Sequence, residues 1–410
     1  MARKLSALLL CAVMIFSAFS LSSCYLFNSG VALGLVSGTD GDTNITVVGG
    51  DTNNITIEGA ETSEVLAASK ALLSSVSIIC EFRGKLTHGT SSEAYYVSGS
   101  GVIYKLDKSN GTAYIITNYH VVHSDKADST NKISSRIMVM LYGQEYEDYM
   151  MDAVYVGGSE QYDIAVLKIV GNPNLIASSA VEAEFADSNK ISVLDKVIAI
   201  GNPAGNGISA TVGYVNVDSE EIDLDGDESK DFRVIRTDAA VNGGNSGGGL
   251  FNLSGSVVGI VNAKMASDSV DNIGYAIPSN IAKAIADNIL FYCDGTAEES
   301  PKRILMGITI THKNLRTEYD TETGKVYRYE TVVVEGVNNG APVEGLIFKG
   351  DEINSITIDG SLYEITRIFH VVDAMLNARA TSIVTLNITR DGQILNIEIP
   401  INAQMLNVIN

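Results

Sequence analysis

Between Val65 and about Phe291 the chain repeats one pattern: short apolar or alternating runs, each cut off by Gly, Asn or Asp. Such runs stand at 76–79, 101–104, 114–117, 137–141, 164–169, 197–200, 234–236 and 257–261. Strands of this length and spacing, with turn residues between them, predict an all-β sandwich or barrel. A helical stretch at 279–290 follows Pro278 and closes the region, and polar residues around 298–301 mark a boundary. Beyond it the pattern changes to strands near 331–334 and 384–389, a turn at Gly345-Leu346 and an apolar helical stretch at 368–376. This predicts a small α+β domain over 298–410, without a cluster of titratable residues suited to chemistry. Residues 24–64 are rich in Gly, Asn, Thr and Asp and echo themselves in Gly41-Asp42-Thr43-Asn44-Ile45-Thr46 and Asp51-Thr52-Asn53-Asn54-Ile55-Thr56. They read as a flexible linker spanning about 35 Å as a coil. The alternative is a small hairpin built on Ile45–Val47 and Ile55–Ile57.

Composition narrows the function. With 45% hydrophobic and 19% charged residues the chain supports ordinary folded cores, and its length suggests two or three domains. A net charge of -21 argues against nucleic acid, which needs clustered Lys and Arg. Arg3 and Lys4, an apolar stretch over 5–19 and the run Ser20-Leu21-Ser22-Ser23-Cys24 read as an export signal over 1–23. Leu21-Ser22-Ser23-Cys24 resembles the lipobox of bacterial lipoproteins, which implies acylation of Cys24 and a membrane tether; an uncleaved anchor is the alternative. Cys80 and Cys293 then remain, as a disulfide or as two thiols, and the sequence does not decide between these.

Three segments carry chemistry. In Gly243-Gly244-Asn245-Ser246-Gly247-Gly248, Ser246 lies in a run poor in side chains. Acyl transfer needs backbone N–H donors aimed at a developing oxyanion, and glycine permits the tight loop that converges them. Ser246 is therefore the candidate nucleophile, with the N–H groups of Gly244 and Ser246 as oxyanion donors. A strand at 115–117 runs through Asn118 and Tyr119 into His120, the candidate general base. His123 lies one turn on, with no carboxylate or thiol cluster to complete a metal site, so no metal and no cofactor is expected. Asp163 enters the apolar strand at 164–169, placed to orient the histidine.

The order His120, Asp163, Ser246 is that of one convergent triad arrangement. With Ser98-Gly99-Ser100-Gly101, Ala199-Ile200-Gly201-Asn202-Pro203, Thr237-Asp238-Ala239-Ala240-Val241-Asn242 and Gly274-Tyr275-Ala276-Ile277-Pro278, these residues resemble the chymotrypsin-like HtrA (Deg) proteases over about 65–405. The resemblance implies a mainly β fold: a chymotrypsin-like double β-barrel over 65–297, then a PDZ-like domain. It also implies ATP-independent cleavage of unfolded or misfolded exported polypeptides. By position, Ala240, Val261, Asn262, Ala263, Lys264, Gly274, Tyr275 and Ala276 line the specificity pocket, which suits small aliphatic side chains.

Gly345-Leu346-Ile347-Phe348-Lys349-Gly350-Asp351 and Arg390-Asp391-Gly392 resemble PDZ motifs. That likeness puts Leu305, Met306, Gly307 and Ile308 where such domains bind a C-terminal carboxylate, with Val372, Met375 and Leu376 beside the peptide. Three departures qualify the likeness. Gly243 and Gly249 stand where the family carries proline, which predicts a loose oxyanion loop with low basal activity that rises on peptide binding. Lys264 replaces an apolar residue. The acidic stretch 218–231 lacks the spacing of a calcium loop and reads as a hairpin tip. A catalytically silent peptide-binding chaperone and a small-substrate esterase are the competing readings. The family also suggests a homotrimer.

Overall fold

A computed structural model describes residues 46–48, 56–58, 62–84, 94–222, 232–263, 273–293 and 300–409. Cys24, the export signal, Lys264, His88 and the acidic residues Asp223, Asp225 and Asp227 lie outside them. Where composition reads as linker, β1 (Thr46–Val48) pairs antiparallel with β2 (Thr56–Glu58), Val47 opposite Ile57. The hairpin alternative is therefore the better description of those six residues.

Helix α1 (Ser63–Leu72) leads into twelve strands. β3 (Ser75–Arg83), β4 (Ala94–Asp107), β5 (Thr112–Thr117), β6 (Arg136–Leu141), β7 (Met151–Ser159) and β8 (Ile164–Ile169) close a barrel in the order β3-β4-β5-β8-β7-β6. Within it a one-turn helix, α2 (Tyr119–Val122), follows β5, and α3 (Pro173–Ala177) follows β8. A second barrel joins β9 (Lys196–Gly201), β10 (Ser209–Ile222), β11 (Phe232–Thr237), β12 (Gly249–Phe251), β13 (Val257–Asn262) and β14 (Gly274–Pro278) in the order β10-β11-β14-β13-β12-β9. This is a chymotrypsin-like double barrel. Ile222 pairs antiparallel with Phe232, and the acidic residues between them lie outside those described.

Burial explains why these strands read as continuous apolar runs. Along β5, Ala113 and Ile115 fill the first barrel while Ile116 faces a second core layer; along β8, Ala165 and Leu167 face inward while Ile164 and Val166 face that layer. Both faces are covered, so the polar half of the usual alternation disappears. The covering element is α4 (Ser279–Tyr292), which buries Ile281, Ile285 and Ile289 at helical spacing, with Ala282 and Ala286 between them. Cys80 is buried in β3, which pushes its thiol up to about 12, and it is not joined to Cys293.

The C-terminal module pairs β15 (Lys302–Ile304) with β22 (Leu406–Val408). Its sheet runs β16 (Ile308–Asp320), β17 (Lys325–Val337), β18 (Glu352–Ile358), β20 (Val384–Arg390), β21 (Gln393–Ile399), with β19 (Ser361–Glu364) on β18 and helix α5 (Phe369–Met375) between β19 and β20 in the chain. Arg390 forks onto the buried Asp351 carboxylate at 2.7 Å through both Nε and Nη2. Burial pushes that carboxyl up, but the Arg390 bonds and the Phe348 N–H outweigh it and hold the group below the usual carboxylate range. A depressed folded-state value contributes stability above about pH 4 that is lost as pH falls through the lowered value. Acid unfolding of wild type should accordingly show a loss of stability below about pH 4 that is smaller in Asp351→Asn.

Among the described residues, three ion pairs tie this module to the second barrel: Arg233 with Asp373, Arg367 with Asp218 at 3.0 Å, and Lys325 with Asp195 at 2.6 Å. Arg233 and Asp373 are both buried, and the Phe369 ring sits 4.2 Å from the Arg233 guanidinium and 4.5 Å from that of Arg367. Removing one partner strands the other charge out of water, so Arg233→Ala should lower unfolding free energy by about 3–5 kcal/mol. The more exposed pair sets the contrast: Lys325→Ala should cost at most about 1 kcal/mol, both read from urea midpoints.

Candidate active site

The site lies where the two barrels meet. β5 ends at Thr117, Asn118 stands at the N-cap position of α2 without a side-chain cap bond, and the single helical turn carries His120. Asp163 sits just before β8 with φ 49°, a left-handed conformation that aspartate tolerates, and its N–H closes a turn onto Glu160 O at 3.2 Å. Asn118 Nδ2 donates to the Asp163 carbonyl at 2.8 Å, locking the two segments together. Ser246 arrives from the second barrel on the loop between β11 and β12.

That loop is threaded where only glycine fits. A Cβ on Gly247 would lie 2.2 Å from Ser100 O, one on Gly248 2.1 Å from Ile200 O, and one on Gly201 2.8 Å from Asn245 Cα. Gly99 makes room for Val121 of α2 and Gly101 for Ile115. Gly244 has φ 97° and Gly247 φ 86°, which an L side chain rarely adopts. Among the described residues neither the Gly244 nor the Ser246 N–H donates to a protein acceptor.

The three candidate residues meet. His120 Nδ1 lies 2.6 Å from Asp163 Oδ2, and His120 Nε2 lies 2.9 Å from Ser246 Oγ. A carboxylate only accepts, so Nδ1 carries the proton and Nε2 is left to accept the Ser246 hydroxyl hydrogen. Asp163 takes two further donors: the His120 N–H at Oδ1, 2.9 Å, and Asn262 Nδ2 at Oδ2, 2.7 Å. The Ala263 N–H donates to Ser246 Oγ at 3.1 Å. His123, by contrast, stacks on Tyr119 at 4.7 Å. His370 is buried in α5 beside Arg233 and Arg367, and burial first, then those cations, push it down to about 3.

Of the residues placed in the specificity pocket by position, Val261 and Ala276 lie in the second-barrel core, and buried Asn262 turns to Asp163. Ala240 is exposed, Ala263 and Tyr275 are partly exposed, and Gly274 abuts Val241. Asn262 as a partner of the triad carboxylate is invisible in sequence, since it ends an apolar strand like any strand-terminal polar residue. In the C-terminal module Gly307 has φ 74° and precedes β16, an edge strand of its sheet; Leu305 and Val372 are exposed, Met306 and Met375 are buried in one core, and Ile308 packs against it.

Gly249 departs from expectation. It is paired in β12, and a Cβ there would lie 2.4 Å from the Phe251 ring, so it is a packing glycine and not a source of loop freedom. Gly243 has open space around its missing Cβ and no positive φ. Gly243→Ala should therefore stabilise by about 0.4–1 kcal/mol and raise basal turnover, whereas Gly249→Ala should destabilise by about 1–3 kcal/mol. Unfolding midpoints and peptide turnover of the two variants check both signs.

A serine, histidine and aspartate joined in this way across two closed barrels define a chymotrypsin-like serine peptidase site. The chain carries a trypsin-like peptidase domain, matched over residues 99–260, and its relatives are HtrA-type serine proteases. Serine protease Do-like HtrA of Lactococcus lactis subsp. lactis is 34% identical over 291 residues, covering 67% of this chain and 64% of its own length. Serine protease Do-like HtrB of Bacillus subtilis is 42% identical over 195 residues, covering 47% of this chain and 38% of its own. The chain thus spans less than two thirds of either relative. The solved HtrA-type protease AlgW with decapeptide superposes with a TM-score of 0.50 at 25% identity, covering 83% of this chain and 97% of that one.

Proposed function

We propose that this chain is an ATP-independent serine endopeptidase that degrades unfolded or misfolded polypeptides outside the cytoplasm. The observation that carries it is the hydrogen-bonded chain from Asp163 through His120 to Ser246. His120 Nε2 takes the hydroxyl proton as Ser246 Oγ attacks the scissile carbonyl, and Asp163 stabilises the imidazolium that forms. The Gly244 and Ser246 N–H groups receive the oxyanion. His120 then returns the proton to the leaving amine, and water repeats the sequence on the acyl-enzyme. DegQ and DegP of Escherichia coli, both 30% identical to this chain, are periplasmic endoproteases, which supports an extracytoplasmic location.

The organisation that goes with this reading is an export signal over 1–23, a tether over 24–64 lipidated at Cys24, a protease domain over 65–297 and a PDZ-type domain over 298–410, in a homotrimer. C-terminal peptides bind along Leu305, Met306, Gly307 and Ile308 and raise a low basal rate. The Ala263 N–H on Ser246 Oγ supports that latency, because it engages one of the two lone pairs of the oxygen that must attack.

A fluorophosphonate probe and digestion of a reduced, unfolded protein test the reading in wild type and Ser246→Ala. Labelling and digestion confined to wild type are expected. Equal signals in both variants remove Ser246 from the mechanism, and labelling without digestion favours an esterase. A rate unchanged by any C-terminal peptide rejects the regulation.

A further inference from the structure

Ser100 stands outside the triad and belongs to the other barrel, yet it holds the nucleophile loop. Its side chain is buried in β4. Its N–H donates to Ser246 O at 2.8 Å, and its Oγ donates to Gly244 O at 2.7 Å while accepting the Asn202 N–H at 2.8 Å. Its own carbonyl accepts from Thr117 Oγ1 at 2.7 Å, two residues before α2 begins. One residue therefore grips the carbonyls at both ends of the arc 244–246. Of the two N–H groups offered to an oxyanion, that of Ser246 lies between these carbonyls and that of Gly244 belongs to the residue whose carbonyl is held. Gly243 and Gly244 have no side chains to restrain it, so the restraint must come from outside.

We propose that Ser100 is a positioning residue for the oxyanion hole: its hydroxyl and N–H, fixed through Asn202 and Thr117, set the Gly244–Ser246 arc so that both amides converge. This rests on the peptidase reading above. The hydroxyl matters because the Gly244 carbonyl has two orientations open to a glycine, and only an anchored one keeps the following peptides in place.

Ser100→Ala removes the hydroxyl and keeps the backbone bond. Its kcat should fall about 10²–10³-fold, the scale of losing one oxyanion donor. KM should stay within about twofold, and the inhibition constant of a peptide aldehyde, which forms the tetrahedral adduct, should rise by the same factor as kcat falls. Ser100→Cys, with a weak donor of similar shape, should recover part of both. Amide hydrogen exchange in the fragment 243–248 should quicken at least about tenfold in Ser100→Ala. Wild-type kcat and aldehyde binding in active-site-titrated Ser100→Ala, with only a lower melting temperature, would make Ser100 a packing residue and overturn the proposal. So would unchanged exchange over 243–248, a readout that stands even if wild type shows no Ser246-dependent turnover and the peptidase reading itself falls.

Discussion

Ser246→Ala should lower kcat by about a millionfold, and adding His120→Ala to it should cost almost nothing more. The first loss corresponds to about 8 kcal/mol of transition-state stabilisation. The second is small because the two groups act as one. His120 Nε2 lies 2.9 Å from Ser246 Oγ and has no proton to take once the hydroxyl is gone. The double variant should retain a residual rate about 10³–10⁴ above the uncatalysed one, because the Gly244 and Ser246 amides remain in place. Turnover of a chromogenic peptide at equal protein concentration, with circular dichroism to show both variants folded, measures this. Losses that multiply instead would mean that His120 acts on something other than Ser246.

The barrels were readable because burial on both faces leaves long apolar runs, as at 164–169, and because glycine is forced wherever one strand crowds another. The nucleophile run is readable for the same reason: Gly247 and Gly248 are required because a Cβ at either would come within about 2 Å of a neighbouring backbone oxygen, not because the loop is flexible. Features whose partners lie far along the chain were not. Ser100 bonds to residues 117, 202, 244 and 246, and no local pattern announces a serine of that kind. Arg233 and Asp373 are 140 residues apart and look like ordinary surface charges. The long ribbon β16–β17 carries no strand signal over most of its length because its residues from Lys313 to Tyr319 are exposed, which erases the alternation that marks a half-buried strand. Gly249 misled in the opposite sense: a glycine in place of proline reads as slack, while the Phe251 ring occupies the space a side chain would need.

The geometry around Asp163 sets the second large expectation, a fall in kcat on the order of 10⁴ for Asp163→Asn with the fold intact. Three donors converge on the carboxylate: the His120 N–H at Oδ1, and His120 Nδ1 and Asn262 Nδ2 at Oδ2. An amide supplies one oxygen and one NH2. With its oxygen on the His120 N–H, its NH2 faces Nδ1, which must then give up its proton. The proton moves to Nε2 and points at Ser246 Oγ, so the base can no longer accept from the nucleophile. The opposite flip keeps the productive tautomer but sets NH2 against the His120 N–H. Backbone strain does not confuse the comparison, since φ 49° suits asparagine as well as aspartate. Asp163→Ala lacks that tolerance and should lose stability as well as rate. The pair also separates tautomer control from simple charge. Asn262→Ala removes one of the two donors at Oδ2, so in the Asp163→Asn background it favours the first flip, the one with the misplaced proton, without changing the charge. A further fall in rate at an unchanged melting temperature assigns the loss to the misplaced proton; an unchanged rate means that the missing charge dominates.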